Sequence, residues 1–178
     1  MENEKLSPFL GKIQKHIQPP GKVLDFGVGY GRDAIPMAKL GFNIIGIDQS
    51  RKWIKQLEKE AKKDELKVRA VYGDITKFNP SDEFKLVLAN MSLQFMKNKN
   101  EIKRVVEKMK SGVQVGGYNG IAIPTKTKVA IKFPSPLENT EDLKEMYSDW
   151  EIIEAGEDEK EFSNGLDGSY AWILAKKI

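Results

Sequence analysis

Apolar positions along the chain change period several times, and each change marks an element. Residues 6–17 place Leu6, Phe9, Leu10, Ile13 and Ile17 at helical spacing, and Pro19-Pro20-Gly21 ends the run. Residues 22–26 form a short apolar strand that runs into glycines. A helix follows over 34–40, with Asp33 as its N-cap, Pro36 tolerated in the first turn, and Gly41 just past the end, where glycine is favoured. NIIGID over 43–48 is a second strand of the buried type. Residues 51–63 keep Trp53, Ile54 and Leu57 on one side, with Ala61 a turn further on, which predicts a helix. Strands three and four are predicted over 67–72 and 85–89. Asn98-x-x-Glu101 has the form of a capping box before a helix over 102–110. Strand five covers 118–123, a helix 141–147, strand six 150–154, and an alternating run over 169–175 gives the last strand.

Two βαβαβ units followed by a final strand predict an α/β protein built on a Rossmann-like, doubly wound sheet of seven strands, mostly parallel. Between strands six and seven the chain is polar and has no helical pattern. That pair is therefore expected as an antiparallel hairpin at the C-terminal edge of the sheet, not as another crossover. No internal repeat or linker interrupts the pattern, so residues 1–178 read as a single domain, with 1–20 as an N-terminal helical cap. The stretch 124–140 holds about 15 residues without clear secondary structure, long for a compact domain, and reads as a candidate lid.

Composition narrows the chemistry. A chain of 178 residues buries roughly two thirds of the surface its unfolded form exposes. It has no cysteine, which removes disulfides, cysteine-based zinc sites and a thiol nucleophile. Its single histidine, His16, excludes a multi-histidine centre, and no metal is expected. His16 reads as an ordinary surface residue on a helix that can fold over a pocket mouth. Lys and Arg total 29 against 26 Asp and Glu, and only Arg32, Arg51, Arg69 and Arg104 are arginines. The cations alternate with acids, as in Glu58-Lys59-Glu60-Ala61-Lys62-Lys63-Asp64-Glu65, the pattern of a solvated helix face and not of a nucleic-acid footprint. Neither an 18-residue apolar run nor a leader-type apolar core is present, so the expectation is a soluble cytoplasmic chain, monomer or homodimer, without membrane contact.

The strongest motif is Val23-Leu24-Asp25-Phe26-Gly27-Val28-Gly29-Tyr30-Gly31-Arg32. A buried strand leads through G-x-G-x-G into a helix, where glycines let the backbone approach a ligand closely. A dinucleotide fingerprint would need a small residue at position 32, which is Arg, and Asp25 would repel a diphosphate. A zwitterionic amino-acid tail, with an ammonium to receive, suits Asp25 better. Asp48 ends strand two, where a carboxylate can accept both hydroxyls of an unphosphorylated ribose. Asp74 follows strand three, placed for an exocyclic amine, with Ile75 against a flat base. Asn90 ends strand four. Open α/β sheets bind ligands at these strand ends, and the ligand that fits is S-adenosyl-L-methionine, with S-adenosyl-L-homocysteine as product.

On these residues the chain resembles a class I S-adenosylmethionine-dependent methyltransferase, and more narrowly the tellurite-resistance (TehB-like) methyltransferase family. VLDFGVGYGRDAIPMAKLGF matches the family's strand, glycine loop, Arg and helix, and Leu88-Ala89-Asn90-Met91-Ser92-Leu93-Gln94-Phe95-Met96 matches the segment after strand four. The narrower likeness rests on Val115-Gly116-Gly117-Tyr118-Asn119, Phe133-Pro134-Ser135-Pro136-Leu137 and Leu143-Lys144-x-x-Tyr147-x-Asp149-Trp150-Glu151. The resemblance implies that Asp25, Gly27, Gly29 and Gly31 hold the methionine end of the cofactor with Arg32 near its carboxylate. It implies Asp48 and Gln49 at the ribose, and Asp74 and Ile75 at adenine. Val28 stands where the family usually has Cys, a packing position. Members acting on tellurium oxyanions tend to carry His and Arg in the last hairpin, whereas residues 157–169 here offer one Lys (Lys160) among several acids.

A sulfonium is an activated methyl donor, so the expected reaction is direct in-line transfer to a small soft acceptor such as tellurium, selenium or a thiolate, needing no general base. No catalytic base is identified. Tyr30, Met91, Gln94 and Phe95 are expected to line the acceptor pocket. Lys126, Lys128 and Lys132 on the candidate lid are placed to attract an anionic substrate, and Phe133 after them is a further candidate substrate residue. The alternatives are a methyltransferase for another small molecule and a non-catalytic sensor of S-adenosylmethionine.

Overall fold

A computed structural model describes residues 7–125, 136–161 and 167–178. Seven strands form one sheet: β1 (Lys22–Phe26), β2 (Asn43–Asp48), β3 (Val68–Tyr72), β4 (Phe84–Asn90), β5 (Val113–Pro124), β6 (Glu151–Glu161) and β7 (Asp167–Lys176). Their spatial order is β3-β2-β1-β4-β5-β7-β6. The pairs β1–β2, β2–β3, β1–β4 and β4–β5 are parallel, and β7 runs antiparallel to both β5 and β6. The sheet and its edge hairpin are as the hydrophobic pattern predicts.

Alternate residues of each central strand enter opposite core layers. Val23, Ile44, Leu86 and Leu88 pack against α1 (Pro8–Ile13), α2 (Ala34–Lys39) and α3 (Arg51–Lys63). Leu24, Ile47, Val87 and Ala89 pack under α4 (Lys99–Ser111) and α5 (Thr140–Glu145). Cover on both faces is why these strands read as unbroken apolar runs. β1 lies between β2 and β4, so the winding reverses there. That switch point opens a crevice at the carboxyl ends of the strands, where ligands bind in such sheets.

Several boundaries differ from the pattern. The first helix is shorter than 6–17: Ser7 Oγ accepts from the Leu10 N–H at 3.3 Å to start it, and it ends at Ile13, while Ile17 stays buried beyond it. β5 begins at Val113, not 118. Val113 pairs with Phe84 before a register shift brings Leu86 opposite Tyr118, and Gly116 takes a positive φ of 75° inside the irregularity. β6 continues to Glu161 because its backbone stays paired with β7, as far as Glu161 opposite Asp167, and two of its acids also meet cations: Glu154 faces His16 and Asp158 faces Lys12 at 3.1 Å. His16 is thus committed to β6, with Nε2 3.2 Å from the Glu154 carboxylate, and does not reach the crevice. The capping of α4 is as expected, with Asn98 Oδ1 accepting from Glu101 N–H at 3.0 Å. Of the candidate lid, Pro124 ends β5 and Thr140 opens α5, and 126–135 lie outside the described residues. Among the described residues no helix is long and apolar enough to cross a membrane.

Candidate active site

The crevice is a cleft of about 410 Å³ at the switch point. The glycine loop leaves β1 and folds onto β2, with Gly27 N–H and Val28 N–H donating to Ile47 O at 2.8 and 3.0 Å. Asp48 pins it there: Oδ2 accepts from Gly29 N–H at 2.9 Å and Oδ1 from Ser50 N–H at 2.7 Å. Each carboxylate oxygen still has a lone pair to offer to a ligand hydroxyl. Ser50 caps α3, accepting from the Trp53 N–H at 3.4 Å, which leaves Asp48 to the loop and the cleft.

The three loop glycines have different reasons. A Cβ on Gly27 would stand 2.3 Å from Ser92 Cβ, and one on Gly31 would stand 2.5 Å from Leu57 Cδ1, so both serve close packing. A Cβ on Gly29 would meet nothing within 4 Å, and its φ of +57° lies in the region that favours glycine. Gly29 lines the cleft, as does Gly27, whereas Gly31 does not. Gly31, implied at the cofactor by the resemblance, packs between Ile35 of α2 and Leu57 of α3. Val28 packs into the space above Gly46, consistent with a packing position.

Asp25 is 5% exposed at the floor of the cleft, and no hydrogen bond reaches its side chain among the described residues. Burial, then the charges of Asp33 and Asp48, push its pKa from 3.8 up to about 8, against the pull of Arg32. A carboxyl left without a partner in this way fits a cationic ligand. Asp74 is held by Thr76, whose Oγ1 and N–H donate to Oδ1 at 2.7 and 2.9 Å and keep it below its ordinary value. Gln49, Asp74 and Ile75 line the cleft beside Asp48.

Beyond β4, Asn90 and Met91 form the wall facing the glycine loop. Met91 adopts φ +57°, uncommon for a residue with a side chain, and strain of this kind concentrates at functional sites. Its N–H donates to Ala122 O at 2.8 Å, and its carbonyl accepts from Gln94 Nε2 at 2.8 Å. Gln94, expected in the acceptor pocket, thus supports Met91 and is not among the residues that line the cleft. Tyr30 and Phe95 do line it, Phe95 as a 62% exposed ring. Lys126 and Phe133 lie outside the described residues.

Seven lining residues were not among the expected site residues: Val28, Asp33, Ser50, Trp53, Gly73, Ser92 and Met96. Trp53 stacks at a tilt on Tyr30, with ring centres 5.4 Å apart. Its place in the first turn of the helix after Asp48 was the available signal. Ser92 Oγ donates to Phe26 O at 2.6 Å and so closes the wall onto β1. Asp33 sits in the N-cap position but makes no capping bond, because its backbone is already helical and its side chain turns instead to Arg32 and Asn90. The charged lining is thus four aspartates and one arginine. Among the described residues no group of three or more His, Cys, Asp or Glu could hold a metal ion.

A glycine loop after the first strand, carboxylates closing the next two, and the order 3-2-1-4-5-7-6 define the class I methyltransferase fold. The chain belongs to the family described as tellurite resistance protein TehB, whose family model matches residues 10–168. It is 29% identical over 167 residues to the probable S-adenosyl-L-methionine-dependent methyltransferase TehB of Haemophilus influenzae. That match takes in 89% of this chain but 58% of the relative, so the chain spans less than two thirds of its length. The crystal structure of TehB from Haemophilus influenzae superposes with a TM-score of 0.85 at 27% identity, over 97% of this chain and 63% of that one. A methyltransferase structure from Methanosarcina mazei shares the fold at TM-score 0.82 and 19% identity, over 98% of this chain and 99% of that one.

Proposed function

We propose that this chain is an S-adenosylmethionine-dependent methyltransferase acting in the cytoplasm on a small soft nucleophile, a tellurite- or selenium-type metalloid or chalcogen. The observation that carries the reading is the unpartnered Asp25 at the floor of a cleft whose rim is closed by Asp48 and Asp74. Family membership supports it, as does the name of the Haemophilus relative.

The residues fit the cofactor. Asp25 and Arg32 offer opposite charges to an ammonium and a carboxylate, and Asp48 offers lone pairs to ribose hydroxyls. Asp74 and Ile75 offer an acceptor and an apolar face to adenine. When bound there, S-adenosylmethionine supplies a methyl group already activated on a sulfonium. What remains for the chain is position and exclusion of water. Asp25 gives up its proton when a cation is set against it, so the site becomes complementary only when filled. Gly29 leaves open the space a side chain would fill. Met91, Phe95 and Met96 provide an apolar, polarisable wall on the side away from the loop. Among the described lining residues there is no His, Cys or Lys, and the four aspartates are committed to the cofactor or to Arg32. That favours an acceptor whose attack needs orientation only, a gain of several kcal/mol.

The test is transfer of a labelled methyl group to tellurite, selenite or dithiothreitol, with volatile and soluble products assayed. Label on the metalloid is expected. Tight cofactor binding without label on any acceptor would overturn the enzymatic reading in favour of a sensor. A thiol is the second reading, favoured by the four aspartates against one arginine in the described lining, a balance that repels oxyanions.

A further inference from the structure

Asp33 is 5% exposed, and among the described residues every polar contact of its side chain goes to a residue of the cleft. Arg32 Nε and Nη2 donate to its two oxygens at 3.3 and 2.9 Å, a two-point fork that fixes the plane of the guanidinium. Asn90 Nδ2 donates to Oδ2 at 2.6 Å and to Ser7 Oγ at 3.1 Å. Both amide hydrogens are then used, and Oδ1 is the polar atom Asn90 has left to offer. Ser7 in turn caps the first helix. One carboxylate thus sets two side chains from opposite walls of the cleft and ties the N-terminal turn to the same point. An acid here has a cost, because its charge helps keep a proton on Asp25. A helix start needing only a cap would be served equally by Ser or Asn.

We propose that Asp33 is a positioning residue for the cofactor's amino-acid tail: it holds Arg32 and Asn90 in one arrangement, so that the guanidinium presents its remaining N–H groups to the tail carboxylate. This rests on the cofactor reading above. Asp33 acts through Arg32, and its removal is felt only by a ligand that has the tail.

Two ligands separate that role from a structural one. S-adenosylhomocysteine carries the tail, and 5′-methylthioadenosine shares the adenine, ribose and thioether but lacks it. Calorimetry is run on wild type, Asp33→Asn, Arg32→Gln and the double variant, each checked for folding by its melting transition. Asp33→Asn and Arg32→Gln are each expected to weaken S-adenosylhomocysteine about tenfold and to leave 5′-methylthioadenosine within about twofold. The double variant should bind no more weakly than Arg32→Gln alone, since residues acting as one unit are not additive. If Asp33→Asn fails to fold, Asp33→Glu keeps the charge and displaces it, and the same selective loss is expected. Equal losses for both ligands, losses that multiply in the double variant, or no loss at all would overturn the proposal. Wild-type chain that binds neither ligand overturns the cofactor reading, and this proposal with it.

Discussion

Two regions of the molecule bury polar groups, and they treat them differently. Under α4 and α5, Asn119 is fully buried, donates from Nδ2 to Val87 O at 2.7 Å, and accepts from the Tyr147 hydroxyl through Oδ1. Lys110 is buried beside it, with Asp149 at 2.6 Å, the Met146 carbonyl at 3.2 Å, and the Tyr147 and Trp150 rings under its ammonium. Burial, the first of its causes, pushes the Tyr147 hydroxyl well above its ordinary pKa and keeps it a neutral donor. In the cleft, by contrast, the Asp25 side chain has no hydrogen-bond partner among the described residues, and its environment favours the protonated form. A satisfied buried network specifies the fold; a buried acid without a partner marks a place kept for a ligand. The family's narrow motifs, Tyr118-Asn119 and Tyr147-x-Asp149-Trp150, fall in the first region. Their side chains serve packing and do not line the cleft.

The comparison breaks most clearly at Asn119. Asn119→Ala strands the Val87 carbonyl and the Tyr147 hydroxyl, and is expected to cost about 3 kcal/mol of stability in chemical denaturation. S-adenosylhomocysteine affinity should stay within about twofold. The glycines offer the same contrast within one loop. Gly31→Ala should lower stability by about 2 kcal/mol, from the clash with Leu57 and the positive φ of 94°. Gly29→Ala should cost about 1 kcal/mol of stability, yet it should weaken cofactor binding at least as much as Gly31→Ala does, measured by calorimetry beside the melts.

Asp25 sharpens the comparison through pH. Between about pH 4 and pH 8 the native, ligand-free chain holds a proton on Asp25 that the unfolded chain has released. This contribution is full below pH 4 and is lost as the pH rises towards 8, so stability falls across that window. Asp25→Asn should flatten that slope and raise stability at pH 8, while weakening S-adenosylhomocysteine. Denaturation series at pH 5 and pH 8 check the sign. The smallest effect is expected at His16→Ala, within about 0.5 kcal/mol and without change in cofactor affinity. Its pairing with Glu154 is a half-exposed contact remote from the cleft.

The sheet was legible because β1, β2 and α3 announce themselves by unbroken apolar runs and a one-sided helix stripe. The full length of β6 was not legible, since its acidic run reads as a polar loop and is held as strand by backbone pairing with β7, Glu154 opposite Leu174 and Asp158 opposite Tyr170. The start of β5 was hidden by Gly116-Gly117, which reads as a break but accommodates a register shift. Asp48 and Asp74 were legible because strand–helix alternation fixes where strand ends lie. Asp33 was hidden by being a good N-cap residue in the N-cap position. Only the fold brings Asn90, 57 positions away, against it.

The most direct test of the central claim is a calorimetric titration of wild type and Asp48→Ala with S-adenosylhomocysteine at pH 8. Asp48 is the group that both pins Gly29 and faces the cleft. The expected result is micromolar binding by the wild type, weakened roughly 100-fold in Asp48→Ala, a loss of about 2.7 kcal/mol. Wild-type binding no tighter than millimolar, or affinity unchanged in Asp48→Ala, would contradict the account.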